Sequence, residues 1–337
     1  MLRSLTIDQV NIGLILVSAI LAILIPFELF LFAYAVLGPL HYLTEISWLH
    51  DKNYYAQNKR DVWILLIISL FITLLFFLSK YPLLGPDPLW SIEQIGTLNA
   101  QLLSIAFGCG LIIAFVKNNT LKLVGLLLVG LLVVVAEYPV ALLSIFLPTL
   151  LHVYLFTMLF MLYGAIKQKS RNGFISVILH IVCPVLLFLV LPSLHYSSER
   201  GISMYTSSDF SALNKYIYGT WLMDTSQPGW TASKFFDAVF SSTQGIAIMR
   251  FIAYAYLYHY LNWFSKTEVI RWHKIPKQRM LLILFFWGVS IALYATDYTL
   301  GFQWLFLLSL MHVLLEFPLN FVSIAGILQV FRKPAQG

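Results

Sequence analysis

Long apolar runs recur along the whole chain, and they constrain its fold more than any other feature of the sequence. Each run has about 17 to 25 residues, the length that an α-helix needs to cross the hydrocarbon core of a bilayer. Of the 337 residues, 60% are hydrophobic and only 11% are charged, whereas soluble domains are about one quarter charged. The sequence therefore predicts an all-α, polytopic integral membrane bundle with a single membrane domain over residues 1–337.

The apolar runs predict about ten membrane helices, near residues 8–25, 27–50, 62–79, 97–116, 121–137, 139–166, 174–194, 244–264, 279–297 and 301–330. Five of the 21 Lys and Arg residues then fall on one side of the membrane: Lys80, Arg200, Lys215, Lys234 and Arg250. The other 16 of the 21 fall on the opposite side. Because loops rich in Lys and Arg stay in the cytoplasm, both termini are expected to be cytoplasmic. The expected location is a plasma membrane of the bacterial inner-membrane type.

The charge distribution argues against a nucleic-acid-binding protein, and the cysteine content argues against a protein held together by disulfides. The formal charge is +6, but the basic residues are scattered among short loops, so we expect the lipid bilayer as a partner and no nucleic acid. Cys109 and Cys183 both lie within apolar runs, where cysteine behaves as a small hydrophobic residue. No disulfide framework is therefore expected.

One long loop, about residues 195–243, lies on the extracytoplasmic side in this arrangement, and loops of this length usually carry structure or function. Within it, residues 207–222 combine a Ser/Asp start with an aromatic stripe, and residues 231–240 combine a Thr start with paired Phe. Both stretches are expected to form short helices at the membrane interface. Their Tyr and Trp side chains serve either to anchor the chain in the interface or to cover a substrate.

Four of the predicted helices carry a histidine at depth, and all four run from the outer to the inner side: His41, His152, His259 and His312. Two of these histidines have a carboxylate four residues later, Glu45 and Glu316. Side chains four residues apart lie on the same face of a helix, so each pair can chelate as one unit.

This pattern predicts a buried metal site. An unpaired ionisable group inside a membrane costs several kcal/mol, and metal coordination removes that cost. Imidazole and carboxylate together suit Fe(II), Zn or Mn. We therefore expect the four histidines as metal ligands and Glu45 and Glu316 as catalytic carboxylates, with His180 as a reserve ligand. The alternative is a hydrogen-bonded polar seam used for helix packing or a proton relay.

The expected depths of the four histidines do not agree. Counted from the basic inner ends of their helices, they differ by about 20 Å at 1.5 Å per residue if the helices are straight. Kinks at Gly38-Pro39, Pro139 and Pro318 are expected to close part of this gap.

Four short blocks surround these histidines in chain order: LGPLHYLTEIS, LLHVYLFTM, YLYHYLNWF and MHVLLEF. Their order and content resemble the histidine blocks of the Brp/Blh family, the integral-membrane beta-carotene dioxygenases that make retinal. The resemblance implies that His41, His152 and His259 bind iron. Trp263 stands where the family has a second histidine in its third block, so the resemblance implies that His312, Glu316 or Glu45 supplies a replacement ligand. Glu45 stands where the family has Asp, and Tyr42 stands where it has Gly.

Three functions are compatible with these features. The first is a metal-dependent oxygenase that uses Fe(II) and O₂ on a carotenoid or another long apolar substrate. The second is a membrane acyl or group transferase with a histidine as general base and residues 265–277 binding an acidic head group. The third is a proton-coupled transporter with a His/Glu relay. The resemblance favours the oxygenase, with beta-carotene cleavage to retinal as one possible reaction; oligomeric state stays open.

Overall fold

The computed structural model describes residues 6–81, 92–135, 142–190, 192–208, 210–223 and 231–332. These residues form helices and turns, and no β-strand occurs among them. Seven helical segments are long and apolar enough to cross a membrane: Ile7–Leu24, Pro26–Asp51, Lys59–Lys80, Gln94–Phe115, Ile145–Gln168, Lys277–Thr296 and Tyr298–Val330. The prediction of an all-α fold is confirmed, and these apolar helices indicate a membrane protein.

The first part of the described chain holds eight α-helices: α1 Ile7–Leu24, α2 Pro26–Phe32, α3 Gly38–Asp51, α4 Trp63–Lys80, α5 Ile92–Phe115, α6 Asn119–Val135, α7 Thr157–Gln168 and α8 Arg171–Leu187. The second part holds seven: α9 Glu199–Ser207, α10 Ser211–Ile217, α11 Ala232–Ser241, α12 Thr243–Ser265, α13 Thr267–Ile270, α14 Lys277–Thr296 and α15 Tyr298–Arg332. Two π-helical segments interrupt the α-helices near the site. Ala33–Leu37 joins α2 to α3, and Leu142–Phe156 leads directly into α7.

Hydroxyl side chains define several helix starts. Thr6 and Gln9 form a reciprocal capping box at the start of α1, which satisfies two backbone N–H groups that have no partner within the helix. Ser170 caps α8 by accepting a hydrogen bond from Gly173 N at 3.1 Å, and its hydroxyl also donates to Asp8. This second bond ties the start of α1 to the turn between α7 and α8.

Two helices organise the bundle. α12 packs against α1, α2, α11 and the π-segment Leu142–Phe156, and most of its side chains are buried. α15 packs against α3, α4, α5, α7 and α14. Each of these two central helices carries one of the predicted ligands, and both pack against α3 and the π-segment Leu142–Phe156, which carry the other two.

The two π-segments account for the local geometry around two further histidines. A π-turn holds more residues per hydrogen-bonded loop than an α-turn, which changes the direction of the side chains that follow it. Ala33–Leu37 ends directly before Gly38-Pro39, a position where the sequence predicts a kink. Leu142–Phe156 contains Pro148, which lacks the N–H needed for a regular α-helix. Pro318 lies inside α15, which continues through it, and Pro139 lies outside the described residues.

The long loop contains three short helices within its described part, one more than predicted. α10, continued by a π-turn over Tyr218–Leu222, and α11 coincide with the two predicted stretches, although residue 209 lies outside the described residues. α9 has no apolar run in the sequence, so hydropathy does not reveal it. It is held by Glu28, whose Oε1 accepts hydrogen bonds from Ser198 N at 2.6 Å and from Ser198 Oγ at 2.8 Å.

Candidate metal centre

The four histidines predicted as metal ligands meet at one point inside the bundle. They come from α3 (His41), the π-segment Leu142–Phe156 (His152), α12 (His259) and α15 (His312). All four side chains are buried, with exposed fractions of 1% to 7%. Each offers one ring nitrogen, and these four nitrogens lie within 4.8 Å of one another. The group can therefore hold a metal ion.

The distances between the ring nitrogens fit coordination of one ion. His41 Nε2 lies 3.0 Å from His259 Nε2. His152 Nε2 lies 3.1 Å from His312 Nε2. Two nitrogens bound at about 2.1 Å to the same ion are about 3.0 Å apart at a right angle and about 3.4 Å apart in a tetrahedron. Both observed pairs fall in this range, and only modest ring movements are needed to bring the remaining nitrogens from at most 4.8 Å to bonding positions.

Glu45 and Glu316, predicted as catalytic carboxylates, are buried beside this cluster. Oε2 of Glu45 lies 3.0 Å from His41 Nε2, as the four-residue spacing predicts. Glu316 instead contacts a different helix, with its Oε2 at 2.9 Å from His152 Nδ1. Neither oxygen makes a hydrogen bond of good geometry with any described residue. Glu45 thus contacts the nitrogen of His41 that also meets His259, whereas Glu316 contacts the nitrogen of His152 that does not meet His312.

Electrostatics also favours a cation at this position. Each carboxyl group lies within 3.0 Å of a ring nitrogen of one of the four histidines. Burying carboxylates away from water is costly unless an opposite charge compensates them. Neutral imidazoles do not supply that charge, whereas one divalent cation would balance both carboxylates.

Contacts from outside the cluster orient two of the rings. The Thr157 hydroxyl is hydrogen-bonded to His259 Nδ1 at 2.7 Å, which leaves Nε2 of this ring to face the cluster. The ring of Tyr42 stacks on the ring of His312, with centroids 4.1 Å apart and an interplanar angle of 25°. Metal-binding histidines are usually fixed in this way through their second nitrogen or their ring face.

Trp263, at the position where the resemblance predicts a second histidine in the third block, has a packing role. Its ring lies 5.4 Å from the His41 ring, and its Nε1 donates to Thr44 Oγ1 at 3.0 Å. Indole cannot bind a metal through this N–H. His312 joins the group instead, so four imidazoles are present although one of the expected positions lacks histidine.

The predicted disagreement in depth is wrong, because the four ring nitrogens lie together. Counting residues from basic helix ends assumes straight helices that all end at the same membrane level. α15 has 35 residues, far more than the about 20 needed to cross a bilayer, so its basic end is a poor reference. The assumption of straight helices also fails, because π-segments lie before His41 and around His152.

His180, the reserve ligand, does not belong to the cluster. Its Nδ1 is hydrogen-bonded to the Tyr254 hydroxyl at 2.9 Å, and its Nε2 lies 3.3 Å from the Tyr154 carbonyl oxygen. Both ring nitrogens therefore have partners within the protein, and His180 is a buried structural histidine.

A cavity of about 310 Å³, here called the aromatic cavity, lies on one side of the cluster. Three of the four histidines line it together with many aromatic rings, among them Phe30, Tyr34, Phe76, Phe210, Phe302 and Phe306. No Asp, Glu, Lys or Arg occurs among the described residues of its lining. Tyr205 and Leu213 bring α9 and α10 into the wall, so the long loop covers part of this cavity.

A second cavity of about 270 Å³, here called the polar cavity, lies on the other side. It touches His41 and His259, so His259 lines both cavities. Its wall contains four charged residues: Asp8, Glu45, Lys266 and Glu316. The four-histidine cluster therefore separates two spaces of similar size and different chemistry.

Sequence reasoning missed the residues that support the cluster from other helices. Thr157 and Tyr260 are examples: Thr157 orients His259, and the Tyr260 hydroxyl is hydrogen-bonded to that of Tyr42 at 2.8 Å. Tyr42 and Tyr260 each follow a ligand histidine directly in the chain, which was the only available signal. Thr157 gives no signal, because a threonine in an apolar helix is common.

No protein-family model, curated protein or solved structure matches this chain.

Replacing Thr157 with valine, which has nearly the same shape, removes the hydrogen bond to His259 Nδ1. We expect the affinity for the metal to fall about 10- to 100-fold, as is typical when the partner of a ligand histidine is lost. Competition with a metal chelator measures this change. Thr157→Ser keeps the hydroxyl and is the control, with affinity near that of the wild type. Equal affinities in the valine and serine variants would contradict an orienting role.

Proposed function

We propose that the protein is a membrane-embedded oxygenase that depends on Fe(II) and acts with O₂ on a carotenoid or another long apolar substrate. The observation that carries this proposal is the convergence of four buried imidazoles beside the aromatic cavity. A site that combines redox-metal ligands with a wall of flat rings suits chemistry on a polyene better than chemistry on a polar substrate. The resemblance of the four histidine blocks to the Brp/Blh family points to the same reaction class.

The donor set fits the proposed metal. Neutral imidazole is a good ligand for Fe(II) and also for Zn, so the choice of iron rests on the oxygenase reaction and not on the ligands alone. When bound, the iron would supply the binding and activation of O₂. His41, His152, His259 and His312 would hold it, and the carboxylates of Glu45 and Glu316 would balance its charge.

The protein's own residues provide position, orientation and a dry environment. Thr157 fixes the ring of His259, and Tyr42 covers the ring of His312. Phe76 and Phe306 stack with centroids 4.1 Å apart in the wall of the aromatic cavity and offer a flat surface to a polyene. Such a wall excludes water and strengthens every electrostatic interaction at the cluster.

We also propose that the chain crosses the membrane ten times with both termini in the cytoplasm. Three helices would cross in addition to the seven long apolar segments. α6 and α8 are apolar with 17 residues each, and α12 is long enough at 23 residues. α12 carries the polar side chains Arg250 and His259, but its burial among other helices shields them from lipid.

Cysteine labelling in intact cells tests this orientation. Lys169, Arg200 and Lys274 are exposed, and the native Cys109 and Cys183 are buried and so contribute little background. A membrane-impermeant maleimide should label a cysteine at position 200, but should label cysteines at positions 169 and 274 only after the cells are opened. Labelling of positions 169 and 274 in intact cells would contradict the proposed orientation.

The metal content of the purified protein tests the proposed function. We expect about one iron per chain by mass spectrometry, loss of that iron in His152→Ala, and its retention in His180→Ala, since His180 is equally buried but outside the cluster. The iron-loaded wild type should then cleave beta-carotene to retinal or a related product. Absence of bound metal after anaerobic loading with Fe(II) would contradict the proposal and favour the transferase or the transporter.

A further inference from the structure

The two cavities that flank the cluster differ in the chemistry of their walls. Among the described residues, the lining of the aromatic cavity has no Asp, Glu, Lys or Arg, whereas that of the polar cavity has four such residues. Both are close to the lower end of the range for sites that enclose a whole ligand, about 300 to 1,000 Å³. A long substrate that reacts at the cluster would therefore occupy both cavities, and its two halves would meet different surroundings.

Several hydroxyls in the lining of the aromatic cavity are paired with each other. The hydroxyls of Tyr42 and Tyr260 are hydrogen-bonded at 2.8 Å, and those of Tyr34 and Ser309 at 3.1 Å. Asn99 Oδ1, in contrast, has no hydrogen-bond partner among the described residues. Paired hydroxyls present little unsatisfied polarity, so this cavity suits a hydrocarbon arm.

The polar cavity, in contrast, is lined by charged groups that lie outside the four-histidine cluster. Asp8 adds a carboxylate, which accepts a hydrogen bond from the Ser170 hydroxyl. Lys266, which follows the last residue of α12, adds an amine donor, and burial lowers its pKa to about 8. Leaving such groups unpaired is costly, so a ligand that pairs them is favoured.

A hydroxyl group matches this mixed lining, because it donates one hydrogen bond and accepts others. A carboxylate matches it less well. An ionised carboxylate only accepts hydrogen bonds, so it could pair with Lys266 but not with the Asp8 carboxylate.

We propose that the substrate is unsymmetrical, with a hydrocarbon arm in the aromatic cavity, a hydroxyl-bearing end in the polar cavity and the reacting bond between them at the four histidines. This inference rests on the proposed function and narrows its substrate class from long apolar molecules to polyene alcohols. Symmetrical hydrocarbons such as beta-carotene become poorer ligands, because their second half leaves the polar groups of the second cavity unpaired.

Two glycines allow each cavity to be filled separately. Gly96 lines the aromatic cavity and Gly164 lines the polar cavity, and a Cβ at either position meets no atom within 4 Å. Both glycines lie inside helices, where leucine is the better helix former. Gly96→Leu and Gly164→Leu are therefore a matched pair of variants that should fold.

The experiment measures binding of two polyenes to the metal-free full-length protein in detergent, by quenching of tryptophan fluorescence. The probes are beta-carotene and its derivative with one hydroxyl on one end ring. We expect the hydroxylated polyene to bind about tenfold more tightly to the wild type, the effect of one good hydrogen bond. Gly164→Leu should abolish this preference. Gly96→Leu should weaken binding of both polyenes and preserve the preference.

A lysine pair tests the donor separately. Lys266→Met should reduce the preference, and Lys274→Met, at an exposed position outside both cavities, should leave it unchanged. Equal affinity of the wild type for the two polyenes, or a preference that survives in Gly164→Leu, would overturn the inference. Each of these results leaves the proposed function intact. Failure of both polyenes to bind the wild type would instead contradict the proposed function itself.

Discussion

The rest of the structure depends on the burial of four imidazole rings and two carboxyl groups in one place within an apolar helix bundle. Such groups have no water to satisfy them, and lipid offers no hydrogen bonds. Each must find its partner in another side chain or in a bound ion. That requirement explains why four helices distant in sequence converge at this point, and why hydroxyl and aromatic side chains surround the rings.

Irregular backbone is found where the site needs it. Regular α-helices repeat every 3.6 residues and fix the direction of each side chain, which leaves little freedom to aim four rings from four helices at one centre. The π-segments Ala33–Leu37 and Leu142–Phe156 supply that freedom near His41 and His152. α12 and α15 stay regular around their histidines, so the adjustment is confined to two of the four contributors.

The sequence predicted the class of fold and the members of the histidine cluster, because both follow from local patterns. Apolar runs of bilayer length mark the long helices, and a histidine in such a run is conspicuous. The convergence of the rings did not follow, since it depends on π-turns that apolar periodicity does not reveal. The contact of Glu316 with His152 was also missed, because the four-residue spacing points to His312 and only the packing of α15 against the π-segment redirects it. The two cavities arise from packing among many helices and leave no local signal.

The central claim is that the four histidines bind one metal ion together. X-ray absorption spectroscopy at the edge of the bound metal counts the imidazole ligands and measures their distances directly. We expect scattering from four imidazole rings, with nitrogens at about 2.1 Å from the metal. A shell with two or fewer imidazoles, or a shell dominated by sulfur, would contradict the account, because it would place the metal elsewhere in the protein.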